Sequence, residues 1–151
     1  MRLQRQSPTH RKGQALVEFS IVLIPFLLIL LAIFDLGRGV YMSNGGAEAA
    51  REIARVTAVH QCAAQPCVLG TSSQTLAVIA TQKGMIPGLA APNTIDIKCR
   101  TLTDTAPTQQ APCAGGDFIR VTVTIPYETV TPFLSMVLPT HFTATARIEV
   151  P

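Results

Sequence analysis

The stretch Phe19–Phe34, FSIVLIPFLLILLAIF, contains no charged residue. Leu16 and Val17 extend it upstream; Leu36, Val40 and Tyr41 continue it past Asp35 and Arg38. A spanning helix needs about 20 mostly apolar residues. With Glu18 and Asp35 as its edges, the run is near the lower bound. A chain of 151 residues cannot bury so uniformly apolar a helix in a core of its own. The run therefore predicts a membrane segment. The 48% hydrophobic and 14% charged composition averages this segment with a more ordinary remainder. Pro25 lies within it and removes one backbone hydrogen bond. Membrane helices tolerate this, so a bend near Ile21 to Ile24 is expected, not a break.

Charge sets the orientation. Arg2, Arg5, Arg11 and Lys12 precede the run with no acid among them, and Arg38 is the first cation after it. The positive-inside rule places Met1 in the cytoplasm and the C-terminal part outside. The net charge of +3 thus sits largely on a flank, and Trp is absent. Neither a phosphate-binding patch nor a base-stacking platform is indicated, and no nucleic-acid partner is expected. Cys62, Cys67, Cys99 and Cys113 all fall on the outer side, where disulfides persist.

The run is long for a signal peptide, and FDLGRG after it holds no small-residue cleavage pattern. A different signal precedes it. In RKGQALVEF, Gly13 follows two cations and Glu18 stands at the apolar edge. A charge costs on the order of 2.5–3.5 kcal/mol at a membrane centre and less at its edge, and such residues usually have partners. Cutting after Gly13 would create an amine at Gln14, one helical turn before Glu18. Otherwise Glu18 is an interfacial carboxylate without a role.

The leader G-x-x-x-x-E-F, running directly into an apolar core, resembles the site cut by prepilin peptidases in type IV pilins of the Flp/Tad class. The wider stretch GQALVEFSIVLIPFLLILLAIFDLGRGVYMSNGGAEAAREIAR is similar to the TadE-like proteins of the Tad pilus assembly system. Its marks are GQALVEF, the Pro-containing Leu/Ile run, Asp35 with Gly37 and Arg38, Tyr41, and AAREIAR from Ala49 to Arg55. The resemblance covers about the first third of the chain. It implies cleavage between Gly13 and Gln14 by a membrane prepilin peptidase. Glu18 would then pair with the amine of a neighbouring subunit and set register, with Phe19 beside it where major pilins carry Tyr. It also implies a single-pass protein of the bacterial inner membrane, supporting fibre biogenesis and adhesion. The implied partners are the lipid bilayer, other Tad pilins and pseudopilins, and secretion-platform proteins. The alternative is a single-span envelope protein with a binding domain unrelated to pili; such an anchor needs neither a cleavable glycine nor Glu18.

The pattern divides the chain into a basic leader (1–13), a transmembrane helix (14–38), an external helical stalk (39–60) and a small α+β domain (61–151). In the stalk, Ala47, Ala50, Ile53, Ala54 and Val56 or Thr57 recur at helical steps, and Glu48/Arg51 and Glu52/Arg55 are surface neighbours. Gly45 and Gly46 are expected to loosen its join to the membrane helix. Ser72–Lys83 reads as a second helix with Leu76, Ile79 and Ala80 as its stripe, closed by Gly84. Three strands follow: Thr94–Arg100, Phe118–Ile125 and His141–Val150. The middle one alternates cleanly, with Ile119, Val121, Val123 and Ile125 on one face. A three-stranded sheet needs a covering helix, which either the stalk or Ser72–Lys83 would supply. Thr131–Pro139 reads as a short helix on the sheet or as a surface returning to the membrane.

Four cysteines allow three pairings, of which sequential pairing would staple two loops. Zinc is disfavoured, because His60 and the cysteines lack the usual short spacings. No cofactor is expected. No nucleophile, metal or nucleotide motif is present. His10, His60 and His141 are isolated, and the later acids Asp96, Asp104, Asp117, Glu128 and Glu149 are scattered. An enzyme is not indicated.

Overall fold

The computed structural model describes residues 9–101, 112–131 and 134–151, with side chains from Gly13 onward. Arg2, Arg5, the side chains of Arg11 and Lys12, most of the loop between Cys99 and Cys113, and Pro132 and Phe133 lie outside the described residues.

A continuous helix, α1, runs from Thr9 to Val59 and passes through Pro25. A second helix, α2, spans Ser73–Met85. Strands β1 (Ile95–Arg100), β2 (Phe118–Pro126) and β3 (His141–Glu149) form one antiparallel sheet in the order β1-β2-β3. The architecture is α+β, as the pattern predicts. The central place of β2 follows from its alternation. Ile119, Val121, Val123 and Ile125 are all buried on one face, and β2 hydrogen-bonds on both edges. Cys99 and Ile148 flank Ile119, while Ile97 and Ala146 flank Val121, so the apolar residues of all three strands share that face.

The outer half of α1 covers this face. Its buried side chains are Met42, Ala49, Ala50, Ile53, Ala54 and Ala58, with Thr57 among them. Steps of three and four place them on one stripe. Ala47 and Val56 are only half-buried and flank it. The stripe is built of small residues, so the sheet comes close to the helix backbone. Gly45 and Gly46, expected to loosen the helix, instead lie inside it and serve this approach. A Cβ on Gly46 would stand 2.9 Å from Ile125 Cδ1, and one on Gly45 would stand 3.4 Å from Ile86 Cγ1. The opposite face carries Glu48–Arg51 and Glu52–Arg55 at 3.7 and 3.6 Å, surface pairs that add tenths of a kcal/mol at most.

Helix α2 packs beside the C-terminal end of α1. Ser72 caps it, its Oγ accepting from Thr75 N at 3.2 Å. The inward residue is Thr75, not the expected Leu76, which is 52% exposed. Thr75 Oγ1 donates to His60 O at 3.2 Å, so a polar contact ties α2 to the end of α1, while Ile79 of the expected stripe, with Val78, packs against the core and Ala80 is exposed. Gly84 does not close α2, which continues to Met85.

The cysteines pair sequentially: Cys62 with Cys67 and Cys99 with Cys113, with Cα separations of 5.3 and 5.7 Å. Gln61 grips the Cys113 backbone at two points: Oε1 accepts from N at 2.6 Å, and Nε2 donates to O at 3.3 Å. The end of α1 is thereby tied to the loop that the second disulfide closes. Between β2 and β3 the expected short helix is one 3-10 turn, Leu134–Met136.

Two glycine substitutions test the packing. Gly46→Leu should overpack the helix–sheet contact and cost about 1–3 kcal/mol. Gly84→Ala, where an added Cβ meets nothing within 4 Å, should instead gain roughly 0.5–1 kcal/mol. Thermal unfolding of the detergent-solubilised chain, followed by circular dichroism, reads both.

Candidate functional site

From Leu16 to Phe34, no other described part of the chain buries α1. Phe19 is 64% exposed, and Ile21, Val22, Ile24, Phe26, Ile29, Ile33 and Phe34 are likewise exposed. An apolar surface of this length on one helix is not stable in water and requires lipid or other apolar helices. The helix is long and apolar enough to cross a membrane once. Gly13, Gln14, Glu18 and Phe19 sit on its first turns, all exposed, and Pro25 is exposed further along. They share one helix segment, and among the described residues nothing outside α1 approaches them. A Cβ on Gly13 would meet no atom within 4 Å. Among the described side chains no cation lies within ion-pair distance of Glu18. The paired cysteines lie far along the chain, in the sheet domain and its loops.

A second cluster forms where the apolar run ends. Asp35, directly after Phe34, is the first fully buried residue of α1. Its carboxylate accepts from Val130 N at 3.1 Å and from Thr131 N at 2.7 Å, so the segment after β2 is pinned to the helix. Arg38, one turn on, stands 3.6 Å from the same carboxylate. Its guanidinium also lies over the Tyr127 ring, 5.6 Å from the centroid. Tyr127 donates its hydroxyl to the Asp35 carbonyl at 2.7 Å and meets Phe142 edge-on at 5.1 Å. Burial first, and then the Asp35 carboxylate, raise the Tyr127 phenol above its ordinary value, with Arg38 opposing. The phenol therefore stays protonated, and a donor, throughout the neutral range.

Gly39 makes this cluster possible. A Cβ there would stand 3.3 Å from Phe142 Cζ and 3.8 Å from Tyr127 Oη. The helix presents Asp35, Gly39 and Met42 in succession to the sheet, at the same steps that place its alanines further on. Charge-assisted bonds and an aromatic pair hold the sheet at a fixed height and rotation on the apolar helix. Asp35 and Arg38 are visible in the sequence as the end of the apolar run. Their partners are not, because two are backbone amides more than ninety positions away. Among the described residues no group of His, Cys, Asp and Glu could hold a metal ion.

Residues 13–55 match the model of the family described as TadE-like protein. The matched region begins at Gly13, takes in the apolar run, Asp35, Gly39 and most of the small-residue stripe, and ends before the sheet. No curated protein and no solved structure matches the chain.

Removing the Asp35 carboxylate should free the segment after β2. In Asp35→Ala, hydrogen exchange at the Val130 and Thr131 amides should accelerate strongly, while exchange in the middle of β2 changes little. Asp35→Asn, which keeps one acceptor oxygen, should fall between. Tyr127→Phe keeps the ring contacts and loses one hydrogen bond, a cost of about 0.5–1.5 kcal/mol in thermal unfolding.

Proposed function

From its TadE-like N-terminal region, we propose that the chain is a pseudopilin-like component of a Tad (Flp, type IVb) pilus. It is held in the bacterial inner membrane by one helix and supports fibre biogenesis and adhesion without enzymatic activity. The carrying observation is the family match, which starts at Gly13 and includes the apolar run with Glu18 at its edge. The N-terminus faces the cytoplasm and the sheet domain lies outside. The two disulfides support that orientation, since such bonds persist in oxidising compartments.

In this reading a prepilin peptidase cuts between Gly13 and Gln14. The open surroundings of both residues suit access by a membrane protease. Glu18 becomes the fifth residue of the mature chain. Its carboxylate, exposed on the helix, is available to the amine of a neighbouring Tad pilin or pseudopilin, and Phe19 packs beside it. Such a pair in a low-dielectric setting favours one axial register over others, because any other register leaves a charge alone in lipid. Pro25 provides a place for the membrane helix to bend during extraction or packing. Secretion-platform proteins of the same system are the remaining partners.

Two measurements test this. Intact mass of the membrane-extracted protein should correspond to a chain starting at Gln14 in cells with the peptidase, and to the full-length chain in cells without it. A leader kept in both strains would defeat the processing step. Glu18→Ala should leave the protein in the membrane fraction and reduce piliation, counted by electron microscopy; an undiminished pilus number would count against the register role.

A further inference from the structure

The segment between β2 and β3 contains VTPFLSMVLPT, from Val130 to Thr140, without a single charge. Its 3-10 turn leaves Met136 84% and Val137 82% exposed, the most exposed large apolar side chains among the described residues. The turn is closed on itself, with Val137 N and Leu138 N both donating to Leu134 O at 3.0 and 2.9 Å. Its base is fixed to α1 from two sides. Val130 and Thr131 are bound by Asp35, and Leu138 lines a cleft with Phe142, Leu36, Gly39 and Val40. An apolar tip is therefore held beside the point where the apolar run of α1 ends.

The height of that point follows from helix geometry. At about 1.5 Å per residue, Leu16–Phe34 reaches about 28 Å, against a hydrocarbon core of about 30 Å. Asp35 then emerges at the outer edge of the hydrocarbon, and the turn emerges with it. Leu36 and Val40, 52% and 60% exposed, carry the apolar surface of α1 past this level. Arg38, half-buried there, is placed to meet lipid phosphates. Glu128, exposed at the foot of the segment, keeps the insertion shallow.

We propose that the turn at Leu134–Leu138 is a second membrane contact. Met136 and Val137 enter the boundary between headgroups and acyl chains of the outer leaflet, next to α1. The occupant is lipid, because the turn is pinned at Asp35, where the apolar run ends, and its base residue Leu138 lines a cleft with Leu36 and Val40, which carry on the exposed apolar surface of α1. One helix alone is free to rotate about its axis in a bilayer. A helix with a rigid apolar outrigger is not, so this contact sets which face of α1 neighbouring subunits meet. The inference rests on the reading of α1 as a membrane span.

The test uses the full chain, whose four cysteines are all paired, in phosphatidylethanolamine–phosphatidylglycerol vesicles. An environment-sensitive fluorophore is placed through Met136→Cys, through Leu28→Cys in the span, or through Gln74→Cys on exposed α2. Nitroxide lipids with shallow or deep spin labels act as quenchers. The expected result at position 136 is blue-shifted emission, quenched several-fold more by the shallow nitroxide than at position 74, with position 28 quenched best by the deep one. Quenching at 28 with position 136 behaving like 74 would overturn the proposal and leave the span intact. A blue shift at 136 that grows with protein-to-lipid ratio and ignores the nitroxides would mean that a second copy covers the turn, which also overturns it. Loss of quenching at 28 as well would defeat the span itself.

Discussion

One helix has to satisfy two solvents. From Phe19 to Phe34, α1 is uncharged, apolar on nearly all sides and exposed, a surface suited to hydrocarbon. From Asp35 onward it is two-faced, with small residues toward a sheet and charges toward water. The change happens within one turn and without a break in the backbone hydrogen-bond ladder. A helix is able to do this because its ladder is internal, so only the side chains need to change. β2, β3 and α2 are positioned against the second half of this helix, and β1 joins through β2. β2 packs on Gly46, Ala49 and Ile53, α2 is tied to its end through Thr75 and His60, and Gln61 grips the loop stapled by Cys99 and Cys113.

The small residues explain why the domain forms at all on so few strands. A three-stranded sheet exposes much apolar surface for its size, and one helix covers it only by lying close. Glycine and alanine at Gly39, Gly46, Ala49, Ala50, Ala54 and Ala58 remove the side-chain spacing that would hold helix and sheet apart. The larger side chains then come mostly from the sheet: Ile119, Val121, Val123 and Ile125 fill the space the helix leaves, with Met42 and Ile53 as the large contributions from α1. Large residues on one layer and small on the other interdigitate at ordinary packing density.

At the membrane boundary the chemistry changes from apolar to polar for a physical reason. Dispersion contacts resist separation but tolerate sliding. The bonds from Val130 and Thr131 to Asp35, and from Tyr127 to the Asp35 carbonyl, have directions, so they fix height and rotation. A sheet domain held this way moves with the apolar helix as one piece. A subunit whose helix is to be packed among others, with its domain displayed at a set position, needs that coupling. The matched family region spans this whole stretch of helix, from Gly13 through Asp35 to the stripe.

The sequence by itself determined the parts whose physics is local. The absence of charge from Phe19 to Phe34 implies a membrane-grade helix whatever surrounds it, and alternation in β2 decides which of its residues are buried. The small-residue stripe of the stalk is legible at helical spacing, and the resemblance around Gly13 and Glu18 rests on contiguous residues. Tertiary structure alone decided the rest. Gly45 and Gly46 look like a flexible join in one dimension, but Ile86 against the first and Ile125 of the sheet against the second turn them into a docking surface. Leu76 looks inward by period, yet the cap at Ser72 and the bond from Thr75 to His60 rotate α2 so that Thr75 faces in. Asp35 looks like the edge of a span, and its role depends on amides of Val130 and Thr131. Backbone amides are the same in every residue but proline, so no pattern of side chains announces where they will be used.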